Sequence, residues 1–153
     1  LNNLDKEEMH VLLFGRSGES ELNALNMHYT NLGYLSDTDA LRTAYSAADV
    51  FVAPSRMDAF GKTLVEAMLC GTPVVAFDAT GPKDIVDHRT TGYLAEPFSP
   101  EDLARGIRWV LDRPSEAYEE LCSAARARAL QRFDSKVIAK QYVELYRDII
   151  DGA

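Results

Sequence analysis

The strongest constraint on the fold of this chain is the segment of residues 49–77, which reads DVFVAPSRMDAFGKTLVEAMLCGTPVVAF. An apolar strand over residues 50–53 leads into a loop, and a helix follows that is bounded by Gly61 and Gly71. A second apolar strand, residues 73–77, comes at once. This succession places free backbone N–H groups and the positive end of a helix dipole at the carboxyl edge of a parallel sheet, where open α/β sheets bind ligands.

Two carboxylates lie in this segment, Asp58 in the loop of residues 54–61 and Glu66 within the helix. Each can accept hydrogen bonds from ligand hydroxyls such as those of a sugar. Asp58 taken alone also fits a solvated loop acid, because most aspartates are exposed. Glu66 follows Leu64 and Val65, and a buried carboxylate without a partner is costly, so it is the stronger candidate for a binding residue.

Composition and charge limit the class of protein. A length of 153 residues predicts a single domain spanning residues 1–153. The net charge of −8 argues against a sequence-independent grip on nucleic acid. The two cysteines form no metal or redox pattern. No apolar run reaches the ~18 residues of a membrane span and no signal peptide is visible, which favours a cytoplasmic protein. The first residue is Leu1, so the chain is expected to be a fragment of a longer protein.

The rest of the chain alternates between apolar strands and amphipathic helices. Further strands are predicted over residues 9–14, 27–35 and 93–95, and helices over residues 20–25, 38–47, 83–87, 100 to about 113, 115–131 and 135–150. Asp37 and Ser99 are predicted N-caps. This order predicts an α/β fold: a Rossmann-like parallel sheet with helices on both faces and a helical C-terminal tail.

Apolar stripes on three of the predicted helices favour core packing over recognition. They comprise Leu41, Ala44, Tyr45 and Ala48 in the helix of residues 38–47, Leu103, Ile107, Val110 and Leu111 in the first tail helix, and Val137, Ile138, Tyr142, Leu145 and Tyr146 in the last.

With these motifs in order, the chain resembles the retaining glycosyltransferases of family 4, also called glycosyltransferase group 1. The resemblance is to the C-terminal, nucleotide-sugar-binding half of their two-domain GT-B fold, and it covers nearly the whole chain. It rests on HVLLFG, NLGYLSDTDALRTAYSAADVFVAPS, DAFGKTLVEAMLCGTPVVAFDATGPKDIV, TGYLAEPFSPEDLARGI and QYVELYRDI. Each piece alone is a weak signal, but their order and spacing together are specific.

The resemblance assigns roles to the two carboxylates. Asp58 matches a catalytic-site glutamate of the family that lies near the donor sugar, so the side chain here is one methylene shorter. Whether an aspartate supports activity, and which sugar it would favour, are left open by this difference. Glu66 is expected to accept hydrogen bonds from the ribose 2′- and 3′-hydroxyls. The backbone at Phe60 and Gly61 is expected to approach the sugar, as glycine permits.

The resemblance implies further donor-binding positions, with backbone N–H groups facing the diphosphate and the Leu35 backbone pairing with the base. They are Lys62, Thr63 and Leu64 at the helix N-terminus for the diphosphate, Tyr34, Leu35 and Asp37 for the base, and Gly15 lining the same cleft.

Several polar residues stay open to a structural interpretation. Lys62 and Arg16 fit a surface position as well as a phosphate contact. His10 and His88 are not expected to be catalytic, because neither has an evident partner. Asp84 follows a Gly-Pro turn and is expected to cap the short helix that begins there.

The implied reaction transfers a sugar from a nucleoside diphosphate to an acceptor hydroxyl with retention, without a metal or other cofactor. Family members use an Arg and a Lys on or just after the domain's first strand, and only residues 1–8 precede HVLLFG. Two lost charge-assisted contacts of ~1.5–3 kcal/mol each predict that the chain alone binds donor weakly and does not turn over. The acceptor, a glycan or lipid-linked sugar, is expected to bind the N-terminal domain, which is expected to lie outside this sequence.

A missing first strand would leave the strands that begin near residues 9 and 50 without the neighbour between them. Direct pairing of those two strands is the expected outcome. Residues 1–4 filling the place, and self-association through the incomplete sheet, are the alternatives.

The sequence also allows two other functions. A non-catalytic nucleotide-sugar-binding module would explain Asp58 in place of a glutamate. Another GT-B enzyme, such as a nucleotide-sugar epimerase or a phosphorylase, would share the fold, although no pyridoxal-lysine motif is visible. Association with a membrane surface, where it occurs in the family, is expected to lie in the missing half.

Overall fold

A computed structural model of the chain describes residues 9–15 and 25–152. The strands are β1 (His10–Leu13), β2 (His28–Asn31), β3 (Phe51–Ala53), β4 (Val74–Phe77) and β5 (Gly92–Ala95). The helices are α1 (Thr38–Ser46), α2 (Lys62–Leu69), α3 (Pro82–Ile85), α4 (Pro100–Leu111), α5 (Ser115–Phe133) and α6 (Ser135–Asp151). Arg16 and nearly all of the helix predicted over residues 20–25 lie outside the described residues.

All strand pairs are parallel, as the alternation of strands and helices predicts. The strands β3, β4 and β5 form one sheet in that order, and β1 pairs with β2 in another. All four residues of β4 are buried, which fits its place between two neighbours. Because parallel strands end at the same side of a sheet, the loops after β3 and β4 meet at one edge.

Alternate residues of β4 face two separate cores. Val74 and Ala76 pack in one cluster with buried residues of α2 and α5, and Val75 and Phe77 pack in the other with buried residues of α4. Successive strand residues point to opposite faces, so a wholly apolar strand can hold helices on both sides. The predicted parallel sheet with helices on both faces is therefore confirmed.

The predicted direct pairing of β1 with β3 is wrong: among the described residues the two strands belong to different sheets. Aromatic rings make the contact instead. Phe14 stacks on Phe51 with ring centroids 6.1 Å apart, and Tyr45 meets both rings edge-on. Ring packing does not require the ~4.8 Å backbone spacing of a ladder, so it can join two sheets whose strands stay apart. The alternative that residues 1–4 fill the place lies outside the described residues.

The helix starts follow their predicted caps in two cases and differ in a third. The Asp37 carboxylate accepts a hydrogen bond from the Ala40 N–H at 2.8 Å, and the Ser99 hydroxyl accepts one from Asp102 N–H at 3.2 Å. Helix α3 has no side-chain cap, so the capping role expected of Asp84 is wrong. Gly81, which has no polar side chain, occupies that N-cap position.

The two long apolar stripes of the helical tail differ in how far they are buried. In α4 the predicted stripe packs against the sheet, with Ile107 and Val110 buried. Helix α6 has no buried residue, and Tyr142, Leu145 and Tyr146 are each more than half exposed. The core role predicted for the α6 stripe is therefore wrong for these three residues, whereas Val137 and Ile138 near the start of the helix are partly buried. Among the described helices, none has both the length and the hydrophobicity to cross a membrane.

The same substitution at two helical valines tests this difference. Val110 is fully buried beneath the sheet, so Val110→Ala should lower the free energy of unfolding by about 2–3 kcal/mol through lost burial and a residual cavity. Val143 on α6 is 46% exposed, and Val143→Ala should change it by less than about 0.5 kcal/mol. Urea denaturation measures both, and an equal loss at the two positions would contradict this arrangement.

Candidate functional site

The candidate site lies at the edge where β3 and β4 end. The loop of residues 54–61 follows β3 and leads into α2, and a shorter loop, residues 78–81, follows β4 and leads into α3. The sequence folds this way because apolar strand residues give way to Pro54 and then to glycine and polar residues, which cannot continue a buried strand.

Helix α2 begins with a backbone turn that only glycine adopts easily. Gly61 is the N-cap, with φ 93° and ψ 51°, in the left-handed region. It has no side chain to cap the helix, so the amides of Lys62 and Thr63 have no side-chain cap. The N–H of Leu64 instead donates to the carbonyl of Gly61 at 3.0 Å. Of the three amides expected to meet a diphosphate, those of Lys62 and Thr63 therefore have no side-chain cap, whereas that of Leu64 is hydrogen-bonded within the turn.

Asp58 ties its own loop together. Its Oδ1 accepts a hydrogen bond from the Phe60 N–H at 3.1 Å, and its backbone carbonyl accepts one from the Gly81 N–H at 3.0 Å. The Asp58 N–H donates to Thr80 Oγ1 at 3.3 Å. The loops after β3 and β4 are therefore linked through this one residue.

The backbones of the two loops also approach each other closely at Gly81 and Phe60. A Cβ added to Gly81 would clash with the backbone carbonyl of Phe60, so only glycine fits there. The Phe60 ring is half exposed and meets the Phe133 ring of α5 edge-on at 5.6 Å. Because the Phe60 amide is held by Asp58, its predicted approach to a sugar would require that hydrogen bond to break.

Glu66 projects from α2 beside a buried tyrosine. Its Oε2 accepts a hydrogen bond from the Tyr45 hydroxyl at 3.0 Å, and its Oε1 lies 3.5 Å from Lys62 Nζ. The Glu66 side chain is 32% exposed and the Lys62 side chain 85% exposed. The carboxylate is thus anchored on its buried side and open to solvent on the other.

Tyr45 is the residue of this site that sequence reasoning missed, because its position in an apolar stripe indicated packing only. The side chain is 2% exposed. Burial, reinforced by the hydrogen bond and the negative charge of Glu66, raises the pKa of Tyr45 well above its ordinary value of 10.0. A buried tyrosine needs a partner for its hydroxyl, and that requirement was the available signal.

The residues predicted to bind a base lie at the end of β1 and between β2 and α1. The Gly15 N–H donates to the carbonyl of Gly33 at 2.8 Å, so the ends of β1 and β2 meet next to Tyr34, whose side chain is largely exposed. Phe14, the neighbour of Gly15, contacts Tyr45 and thereby reaches the surroundings of Glu66. The Asp37 carboxylate is used as the cap of α1, and Leu35 is partly buried.

Residues expected to be non-catalytic have local structural partners. His88 Nδ1 accepts a hydrogen bond from the Leu94 N–H at 3.1 Å, and His10 Nε2 lies 2.8 Å from Thr30 Oγ1. Within the described ranges, no group of three or more His, Cys, Asp and Glu residues could hold a metal ion. The prediction that the site takes no metal stays a prediction.

A separate cavity of about 440 Å³ lies where β3 begins, at the opposite edge of the sheet from Asp58. Its lining includes Asp49, Arg113 and Tyr118. The Tyr118 hydroxyl donates to the carbonyl of Asp49 at 2.9 Å, and the Arg113 guanidinium lies 4.4 Å from the centre of the Trp109 ring. These groups are engaged in packing, whereas the carboxyl edge has the open carboxylate and the helix N-terminus.

Comparison with known proteins shows the family to which the chain is similar. The profile of the family described as "Glycosyl transferases group 1" matches residues 4–128. The chain is 31% identical over 148 residues to the phosphatidyl-myo-inositol mannosyltransferase of Mycobacterium leprae, covering 94% of this chain and 39% of that protein.

Solved structures give the same result. The sucrose-phosphate synthase of Thermosynechococcus elongatus superposes with a TM-score of 0.78 at 31% identity, covering 93% of this chain and 39% of that one. Anabaena HepE in complex with UDP superposes with a TM-score of 0.70 at 34% identity, covering 79% and 32%. HepE has also been solved with UDP-glucose. The chain thus spans less than half the length of each of these proteins.

The raised pKa of Tyr45 predicts a pH dependence of stability. The folded state keeps the phenol proton at pH values where the unfolded chain, with a pKa near 10, loses it. The free energy of unfolding should therefore fall as pH rises above about 10, by up to about 1.4 kcal/mol per pH unit from this group.

Tyr45→Phe should remove that part of the slope in urea denaturation at pH 8, 10 and 11. Tyr142→Phe, on the exposed face of α6, is the matched control and should leave the slope as in the parent chain. Identical slopes for the parent and Tyr45→Phe would contradict a protonated, buried Tyr45.

Proposed function

The chain belongs to the glycosyl transferases group 1 family, and from this premise we propose that it supplies the donor site of a retaining glycosyltransferase. That enzyme transfers a sugar from a nucleoside-diphosphate sugar to an acceptor hydroxyl. The observation that carries the proposal is the helix that follows β3: α2 begins at Gly61 without a side-chain cap, and one turn further on it carries the partly exposed Glu66 carboxylate.

The proposed donor contacts follow from the charges at this edge. The amides of Lys62 and Thr63, at the positive end of the α2 dipole, would bind the diphosphate. The open side of the Glu66 carboxylate would accept hydrogen bonds from the ribose hydroxyls. Structures of HepE with UDP and with UDP-glucose support a nucleotide sugar as the ligand class.

The chemistry requires stabilisation of the departing diphosphate and of the positive charge that develops at the anomeric carbon. The α2 N-terminus would meet the first requirement, and no metal ion is part of the proposal. Asp58 would lie beside the sugar and stabilise the second charge. The base would lie along Tyr34 and Leu35, with Gly15 lining the cleft.

The proposal treats residues 1–153 as one donor-binding domain of a longer enzyme. Relatives of more than twice the length support this view, since the chain covers 39% of the M. leprae mannosyltransferase. The acceptor, a glycan or a lipid-linked sugar, would bind another part of that enzyme, which could associate with a membrane surface. The isolated chain would accordingly bind donor weakly and not complete the transfer.

One observation favours a second function, that of a non-catalytic nucleotide-sugar-binding module. Asp58 Oδ1 already accepts the Phe60 N–H, so its carboxylate has a structural task that requires no sugar. A longer glutamate side chain would close this short turn less well, which gives the aspartate a structural reason to be there.

Nucleotide binding tests the donor site. One of UDP, GDP and ADP should bind saturably by calorimetry, and Glu66→Gln should weaken it about tenfold, the difference between a charge-assisted and a neutral hydrogen bond. Glu120→Gln, an exposed change on α5, should leave the affinity as in the parent chain. Absence of saturable binding, or equal loss in both variants, would refute the donor site.

Substitutions of Asp58 in the full-length enzyme separate catalysis from a structural role. Asp58→Asn keeps an oxygen that can accept the Phe60 N–H but removes the charge. If Asp58 stabilises the reacting sugar, Asp58→Asn should lower kcat about a hundredfold with nucleotide affinity unchanged. Full activity in Asp58→Asn, together with loss of nucleotide binding in Asp58→Ala, would instead indicate a structural residue.

A further inference from the structure

Tyr45 is fixed on every side that the structure describes. Its ring meets Phe14 and Phe51 edge-on, with centroids 5.4 and 5.3 Å away. Its backbone carbonyl accepts a hydrogen bond from the buried Thr72 hydroxyl at 2.7 Å. The hydroxyl therefore has one defined position, and it points to Glu66 Oε2.

The other contact of Glu66 cannot set its orientation. Lys62 Nζ lies 3.5 Å from Oε1, but this lysine is highly exposed and sits one turn before Glu66 on the same helix. Exposed pairs of this kind are weak and screened by salt, and they hold long side chains loosely. The orientation of the carboxylate thus depends on Tyr45.

A hydroxyl at this position exceeds what packing requires. Phenylalanine would fill the same space between Phe14 and Phe51, and burial of a hydroxyl is unfavourable unless it is hydrogen-bonded. The hydroxyl donates to one carboxylate oxygen from the buried side, and the remaining lone pairs of the carboxylate stay available to accept hydrogen bonds from the solvent side. An acceptor held in this way is suited to two neighbouring hydroxyls.

We propose that Tyr45 is a positioning residue that orients the Glu66 carboxylate for a pair of vicinal hydroxyls, and so makes the site selective for ribonucleotides over 2′-deoxyribonucleotides. The inference rests on the proposed donor site. Without the Tyr45 hydroxyl, Glu66 must lose its rotamer freedom when the nucleotide binds, which weakens binding about threefold to tenfold. A 2′-deoxynucleotide presents no vicinal pair and gains little from the oriented carboxylate.

The test compares nucleotide affinities in three forms of the chain. Calorimetry with UDP, GDP and ADP identifies the tightest binder, and its 2′-deoxy counterpart is then titrated. In Tyr45→Phe the ribonucleotide should bind about threefold to tenfold more weakly, with the affinity for the deoxynucleotide unchanged. Tyr118→Phe is the matched control, because its hydroxyl donates to the Asp49 carbonyl at the opposite edge, and it should change neither affinity.

Each other outcome overturns either the positioning role of Tyr45 or the donor site itself. Equal weakening of both nucleotides in Tyr45→Phe, or no weakening, overturns the positioning role while the donor site stands. Failure of the parent chain to bind any of the three nucleotides overturns the donor site and this inference with it. If Tyr45→Phe does not fold, Glu66→Asp gives the second measurement, since it leaves the buried ring intact and withdraws the carboxylate by one methylene. The ribonucleotide preference should fall to the same extent, and an unchanged preference contradicts the role.

Discussion

Parallel pairing of β3, β4 and β5 is the constraint on which the other features depend. The wholly buried β4 holds α2 and α5 on one face through Val74 and Ala76 and α4 on the other through Val75 and Phe77. Because the three strands run the same way, the loops after β3 and β4 meet at one edge. The positions proposed for the diphosphate and the ribose follow from this edge, where Gly61 starts a helix without a side-chain cap.

Side-chain contacts join this sheet to the β1–β2 pair. Phe14, at the end of β1, touches Tyr45, which touches Phe51 of β3 and donates to Glu66 of α2. One aromatic cluster therefore connects the residues proposed to bind the base with the residue proposed to bind the ribose. A substitution that disturbs the packing of these rings would therefore affect the proposed base and ribose positions together, although the two sheets share no backbone pairing within the described residues.

The sequence predicts well those features that depend on local chemistry. The caps at Asp37 and Ser99, the glycine limits of α2 and the alternation of strands and helices all arise from neighbouring residues. Contacts between distant residues were not predictable in this way. The link between Tyr45 and Glu66 spans 21 positions, and the hydrogen bond that the Gly81 N–H donates to the Asp58 carbonyl depends on the meeting of two loops. The exposure of the α6 stripe was missed because an amphipathic pattern does not specify what covers it.

Mapping a nucleotide onto the backbone tests whether the ligand lies at the carboxyl edge against the N-terminus of α2. A ¹⁵N-labelled sample titrated in turn with UDP, GDP and ADP reports the amides that the ligand approaches. We predict that the largest chemical-shift changes fall on Lys62 and Thr63 and on residues 33–35. Changes centred on Asp49, Arg113 and Tyr118, around the cavity at the opposite edge, would contradict it.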